Sequence, residues 1–404
     1  MTLTIEAVDT TPAVPAPDRT GRTGRTGRAE QIGGLLLLLS MFSQGFGVVW
    51  DVQWHNDVGP DTFLTLPHLL IYAGPSLAGF TSAIVVLLRT GTERRLAPGE
   101  AAAGSGAVKV LGYFRAPVGF LIAGVGGATD LFYGMADLWW HSEYGFDVTL
   151  NSPPHVGLAL GGVAVCIGTI IVFTSQHQQR LGRWGLVVSS ALTTITVVFA
   201  LFWAQPFEIS VTAVAILLLS LVGCVVRRPG WVSATGLVFI TLVGTQWLYV
   251  PFVTRWYADS VGLPFREGVS TVPQMPALDP LVLPLIAVLL DLVLLRCRRA
   301  GVSPGKVLPV AAGVLGVLMA TVYGPQIHDP LTPQVLVLAG LLSAGAGWLG
   351  YRFSFPLRRL ARLEQADAGE AVAEHDAAEQ AAAGQAVAEQ LEVPDVAPLT
   401  AVEV

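Results

Sequence analysis

The sequence predicts an all-α, polytopic membrane protein of about ten transmembrane helices, with a duplicated helix-pair motif in its N-terminal half. Three observations carry that expectation. Hydrophobic residues make up 52% of the 404-residue chain and charged residues only 13%. Apolar runs repeatedly reach the roughly 20 residues that cross a hydrocarbon core. Finally, Asp51-Val-Gln-Trp-His55, followed by Pro67-His68, recurs as Asp137-Leu-Trp-Trp-His141, followed by Pro154-His155.

Taken in order, residues 1–31 hold Pro, Thr and a tandem Thr-Gly-Arg run from Thr20 to Arg28. Polar, basic and without an apolar face, this segment reads as a flexible cytoplasmic terminus. The first apolar run starts late and lacks a small-residue cleavage site, which argues against a cleaved signal peptide. Runs then fall at 32–50, 66–88, 116–140, 154–174, 184–204, 207–226, 231–254, 278–295, 307–323 and 333–351. Residues 32–175 hold the duplicated helix pairs and 176–352 the further spans. Residues 353–404 form an acidic, Ala/Glu-rich tail, with ten acids and no Lys or Arg from Glu364 onward. From Glu364 onward Gly369, Gly384 and two prolines interrupt the chain, so this part reads as solvated and at most transiently helical. Three scattered cysteines (Cys166, Cys224 and Cys297) exclude a disulfide framework and a zinc ribbon.

Arginine placement gives an orientation. Arg19 to Arg28, Arg89 with Arg94 and Arg95, Arg180 with Arg183, Arg227-Arg228, Arg296 to Arg299 and Arg352 to Arg362 occupy alternate connections. The other connections carry Asp57 and Asp61, Glu143 and Asp147, Gln205, and His328 with Asp329; only Arg255 and Arg266 break the contrast. The chain is therefore expected in the cell membrane as a multi-pass protein, with both termini cytoplasmic and both Asp/His motifs on the outer side. The expected partner is the lipid bilayer, with no nucleic acid.

The two motifs carry the chemistry. Trp54 matches Trp140, Asp57 matches Glu143, Gly59 matches Gly145 and Asp61 matches Asp147, with one residue inserted in the second copy before its Pro-His. Asp51 and His55, like Asp137 and His141, are spaced to share a helix face one turn apart if the preceding helix continues through them. His68 and His155 follow a proline, which suits the first turn of the next helix. One carboxylate and two imidazoles from two converging helix ends make a three-ligand metal site with a position open for water or substrate. Imidazole suits copper, zinc and iron. Asp57, Asp61, Glu143 and Asp147 are candidates to orient the ligand imidazoles, or are solvated loop acids. Asp130, two turns below Asp137, should face the protein interior, since an intramembrane carboxylate costs roughly 2.5–3.5 kcal/mol on insertion scales. Its counterpart in the first copy is Gln44. Asp291, close to Arg296 and Arg298, reads as half of a structural ion pair, and His328 as a loop histidine.

The stretch from Asp51 through His55 and Asp61 to His68 and Tyr72 resembles the C subunit of the copper membrane monooxygenases, the particulate methane and ammonia monooxygenase group. That subunit carries an Asp-x3-His-x12-His copper motif. Asp51, His55 and His68 match it at identical spacing. Asp137, His141 and His155 match it with thirteen intervening residues. The resemblance implies copper, dioxygen and oxidation of a small, poorly reactive substrate. It also implies partner membrane subunits and a separate cupredoxin-like subunit, since no such soluble domain lies in this chain. Two other functions fit the same residues: a transporter or metal-handling protein in which Asp130 and Gln44 are steps inward, and a scaffold whose polar residues satisfy one another.

Overall fold

Inside a bilayer a backbone satisfies its N–H and C=O groups only within a helix or a closed barrel, and the apolar runs of this chain fold as helices. The computed structural model describes residues 25–59, 62–94, 107–145, 151–202, 206–269, 272–329 and 331–391. Its helices are α1 (Arg25–Asp57), α2 (Leu66–Glu93), α3 (Val118–Tyr144), α4 (Pro153–Ser175), α5 (Arg180–Ala200), α6 (Phe207–Val226), α7 (Trp231–Val261), the short α8 (Gln274–Ala277), α9 (Leu283–Arg299), α10 (Pro304–Gln326) and α11 (Pro333–Leu391). Among the described residues, nine are long and apolar enough to cross a membrane. The tenth expected run, 278–295, forms α9. Its 17 residues rise about 25 Å, short of a hydrocarbon core of about 30 Å.

Three local features differ from the expectation. Helix α1 begins at Arg25, inside the segment read as flexible; residues 1–24 lie outside the described residues. Residues 107–117 form an antiparallel pair, β1 (Ala107–Val110) and β2 (Phe114–Pro117), turned at Leu111 and Gly112, both at positive φ. Helix α11 continues for 59 residues through Gly369 and Gly384, where an interrupted tail was expected. Two glycines cost about 1 kcal/mol each, against a segment dominated by the strong helix formers Ala, Glu and Gln. Pro394 and Pro398 lie outside the described residues.

Helix α1 packs along α2 and α3 along α4, and the pairs meet reciprocally, α1 on α4 and α2 on α3. Helix α5 lies across α1 and α4, and α7 lies on α1 and α5. Close approach within each pair rests on matched glycines. A Cβ on Gly74 would sit 2.7 Å from Gln44 Cβ, and one on Gly161 would sit 2.8 Å from the Asp130 backbone nitrogen. Gln44 and Asp130 are thus pressed inward from both sides, and the Gln44 amide Nε2 donates a hydrogen bond to Asp130 Oδ2. Asp130 is 1% exposed, facing the interior as expected. Asp291 also lies as expected: its Oδ1 is 3.6 Å from Arg298, while Oδ2 accepts from Gly230 N and Ser233 Oγ.

These contacts make a stability prediction. Gly74→Ala and Gly161→Ala should each destabilise by about 1–3 kcal/mol, the usual cost of overpacking. A Cβ on Gly79 meets nothing within 4 Å, so Gly79→Ala should be neutral or slightly stabilising. Thermal unfolding in detergent checks the contrast; equal effects at all three positions would refute the packing account.

Candidate metal centre

The first triad is built by two helix ends. Helix α1 runs past its apolar stretch to Asp57, so Asp51 and His55 stack one turn apart on the same face. Thr65 caps α2, with proline in its first turn, and places His68 over the end of α1. Asp51 Oδ1 lies 3.2 Å from His68 Nε2 and Asp51 Oδ2 lies 3.7 Å from His55 Nε2. The second triad repeats this on α3 and α4. Asp137 Oδ2 is 3.3 Å from His141 Nε2 and Oδ1 is 3.5 Å from His155 Nδ1. In each triad one potential donor atom per residue lies within 4.8 Å of the others. Donors around a tetrahedral ion with bonds of roughly 2.0–2.1 Å stand about 3.3 Å apart. The four Asp–His distances are already close to that separation.

Backbone carbonyls set the tautomers of two ligands. His68 Nδ1 is 2.9 Å from Thr62 O, and His141 Nδ1 is 3.1 Å from Gly145 O. A carbonyl oxygen can only accept, so each Nδ1 carries a proton, and Nε2 is the ring nitrogen turned toward the aspartate. This is the arrangement that fixes metal-binding imidazoles. Neither of the two loop acids among the described residues supplies it. Asp57 is buried and accepts from Gln53 Nε2 at 2.9 Å, Glu143 is exposed, and Asp61 and Asp147 lie outside the described residues. Gly145 closes α3 at φ 91°, and Gly59 follows α1 at φ 100°, a backbone region that favours glycine. At Gly59 a side chain would also collide with Arg266, whose guanidinium would lie 1.9 Å from a Cβ.

Both triads face one cavity of about 400 Å³. Its deep end is the Gln44–Asp130 pair, two turns below the aspartates, and Val48, Ile71, Leu158 and Phe199 supply apolar wall. Beyond that floor the side chains of Leu37, Met41, Ala123 and Phe120 are closely packed and buried. The side chains of both triads line this one space, so the two sites share it. Trp54, next to the first triad's histidine, is turned into the protein. It is 1% exposed and packs on Tyr257 of α7, with centroids 4.8 Å apart. Its counterpart Trp140 packs on Tyr144 of its own helix at 4.5 Å. His328 is exposed and does not line the cavity.

Two cavity residues had no signal in the sequence. Arg266 reaches the cavity because its backbone N–H donates to Asp57 O at 2.7 Å. Asp279 lies on the segment after α8, which is pinned to α1 where Gln274 N donates to Gln53 Oε1 at 3.0 Å. It is 2% exposed, and its Oδ1 has no hydrogen-bond partner among the described residues. Neither residue has a motif or a spacing that ties it to the triads.

Burial pushes the Asp279 carboxyl well above the ordinary carboxylate range. The folded state then holds the proton more tightly than the unfolded chain. Stability from this position is complete below the unfolded pKa, near 4, and declines as pH rises toward the folded value. Asp279→Asn should therefore raise the melting temperature at pH 8 and leave it nearly unchanged at pH 4. An equal gain at both pH values would assign the effect to packing. Set against known proteins, this chain matches no family model, no curated protein and no solved structure.

Proposed function

We propose that this chain is a two-site metal-binding membrane protein, with copper as the first-choice ion, acting as a subunit of a copper membrane monooxygenase-like complex. The observation that carries the reading is the convergence of two Asp/His/His triads on one cavity at the same end of the helix bundle. A divalent ion held by a carboxylate and two neutral imidazoles would neutralise the carboxylate's charge and leave coordination positions open, as catalytic sites require. The apolar wall suits a small, weakly polar substrate. Zinc or iron would be held by the same donors.

The transporter reading draws less support. The cavity stops at Gln44 and Asp130, with closely packed side chains beyond, and transport would need that packing to open. In our reading the triad end faces outward and both termini are cytoplasmic, because the arginine clusters lie at the opposite ends of the same helices. A cupredoxin-like subunit and further membrane subunits would complete the complex.

Purified protein loaded with copper or zinc should retain up to about two equivalents of metal. His55→Ala with His68→Ala should remove about one while the protein stays folded. Occupancy should fall as pH drops through the imidazole range near 6.5, because protons then compete for the ligand nitrogens. Elemental analysis after dialysis reads this directly; wild type that retains neither copper, zinc nor iron refutes the proposal. Orientation is tested separately. The three native cysteines are buried, so Arg180→Cys should be labelled by an impermeant thiol reagent only from the cytoplasmic side. Labelling from outside alone would invert the topology.

A further inference from the structure

At the end of the bundle opposite the triads, α5, α6, α7 and α11 converge around a group of arginines. Gly350 of α11 lies against α6, where a Cβ would sit 2.7 Å from Leu217 O and 2.8 Å from Ser220 Cβ. Seven residues beyond Ser220 stands Arg227, and eight beyond Gly350 stands Arg358, a rise of about 10–12 Å along each helix. Leu357 holds the two helices together at that level, packing on the buried cluster that includes Val225 and Val226. The same cluster contains Leu186 and Val187 of α5 and is covered by Trp231, the first residue of α7. Arg183, in the first turn of α5, lies 5.4 Å from the centre of the Trp231 ring, and its Nη1 donates to Gln178 O at 2.6 Å.

Arg227 takes its place in an unfavourable backbone conformation. It closes α6 at φ 55°, in the left-handed region that residues other than glycine seldom adopt. The three cations have no matching anion. Among the described residues at this end, the ion pairs are Glu30 with Arg89 and Asp291 with Arg298, each at 3.6 Å, and neither engages Arg183, Arg227 or Arg358. His177, in the connection between α4 and α5, reports the same excess of positive charge. Burial, and then the charges of Arg358 and Arg183, depress its imidazole against the opposing hydrogen bond from its Nδ1 to Thr174 O.

Left alone, these like charges repel one another; an anion among them turns the interaction attractive. Basic pockets between transmembrane helices bind the headgroups of anionic lipids. The surroundings favour a lipid over a soluble anion. Leu181 and Trp184 in the first two turns of α5, and Phe355 one turn before Arg358, are exposed and offer apolar surface to acyl chains. Trp184 meets Trp231 edge-on at 5.1 Å, and tryptophan rings suit the headgroup level of a bilayer. We propose that Arg183, Arg227 and Arg358 bind the phosphate of an anionic phospholipid, in the leaflet on the side away from the triads. Each guanidinium presents a planar fork to phosphate oxygens, and the lipid ties α5, α6 and α11 together at this end. The site is independent of the metal-binding reading.

The experiment measures lipid retained by the purified full chain, by native mass spectrometry after exchange into mixed micelles. The probes are cardiolipin and, as the zwitterionic control, phosphatidylcholine. Wild type should retain cardiolipin and retain phosphatidylcholine no better than background. Arg183→Gln, Arg227→Gln and Arg358→Gln should each weaken retention about fivefold, and the triple variant about a hundredfold, following the effect of one cation beside an anionic headgroup. Arg296→Gln/Arg299→Gln/Arg352→Gln removes the same charge from the same end and should keep the lipid. If the triple glutamine variant fails to fold, Arg227→Gly with Arg358→Gln takes its place, since glycine suits that backbone. Inorganic phosphate should displace no more cardiolipin than chloride at matched ionic strength. Equal losses in the two triple variants, or no preference for cardiolipin, would reduce the site to general attraction and overturn the proposal. Displacement by phosphate beyond the chloride control would assign the site to a soluble anion and overturn it as well.

Discussion

The hydrogen bond between Gln44 and Asp130 is the polar contact on which the N-terminal half depends. An unpaired amide or carboxyl at this depth would be costly, and the bond between them ties α1 to α3 across the seam of the two helix pairs. Gln44 and Asp130 lie seven residues, or two helical turns, below Asp51 and Asp137. Joining them therefore sets the two aspartates at a similar depth, both lining the one cavity. Gly74 and Gly161 serve the same end, each admitting its helix close enough to press the polar residue inward. The site is a consequence of this contact and of two helices that run on beyond their apolar stretches.

Burial of the two copies is uneven. Around the first, α7 and the segment after α8 supply Tyr257, Arg266 and Asp279, and Trp54 lies in the interior. Around the second, Trp139 and Met135 remain exposed on a surface suited to lipid. The same local motif is thus placed in two environments, one walled by protein and one at the bundle's edge. The cavity between them is lined by Asp51 and Asp137 of the triads and by the cation Arg266, while the buried Asp279 holds its proton.

Much of this was legible in the sequence because its causes are local. Runs of about 20 apolar residues have few alternatives in a bilayer, and a four-residue spacing puts Asp and His on one helix face whatever surrounds them. All six ligand candidates meet in the expected threes, and Asp130 turns inward. The hairpin at 107–117 and the unbroken α11 were missed because four-residue strands carry too little pattern, and because two glycines weigh less than the alanines and glutamates around them.

What the sequence by itself determined was the helical membrane class, the two triads and their approximate register, all consequences of periodicity and composition. Only the tertiary structure decided that both triads open on one cavity, that Gln44 bonds to Asp130, and that Asp279 and Arg266 join the lining. It also decided which ring nitrogens face the aspartates, through the carbonyls of Thr62 and Gly145 and the hydroxyl of Ser152. These are contacts between segments far apart in the chain, or with backbone atoms that every residue possesses. No residue type announces them; they exist only once the helices are packed.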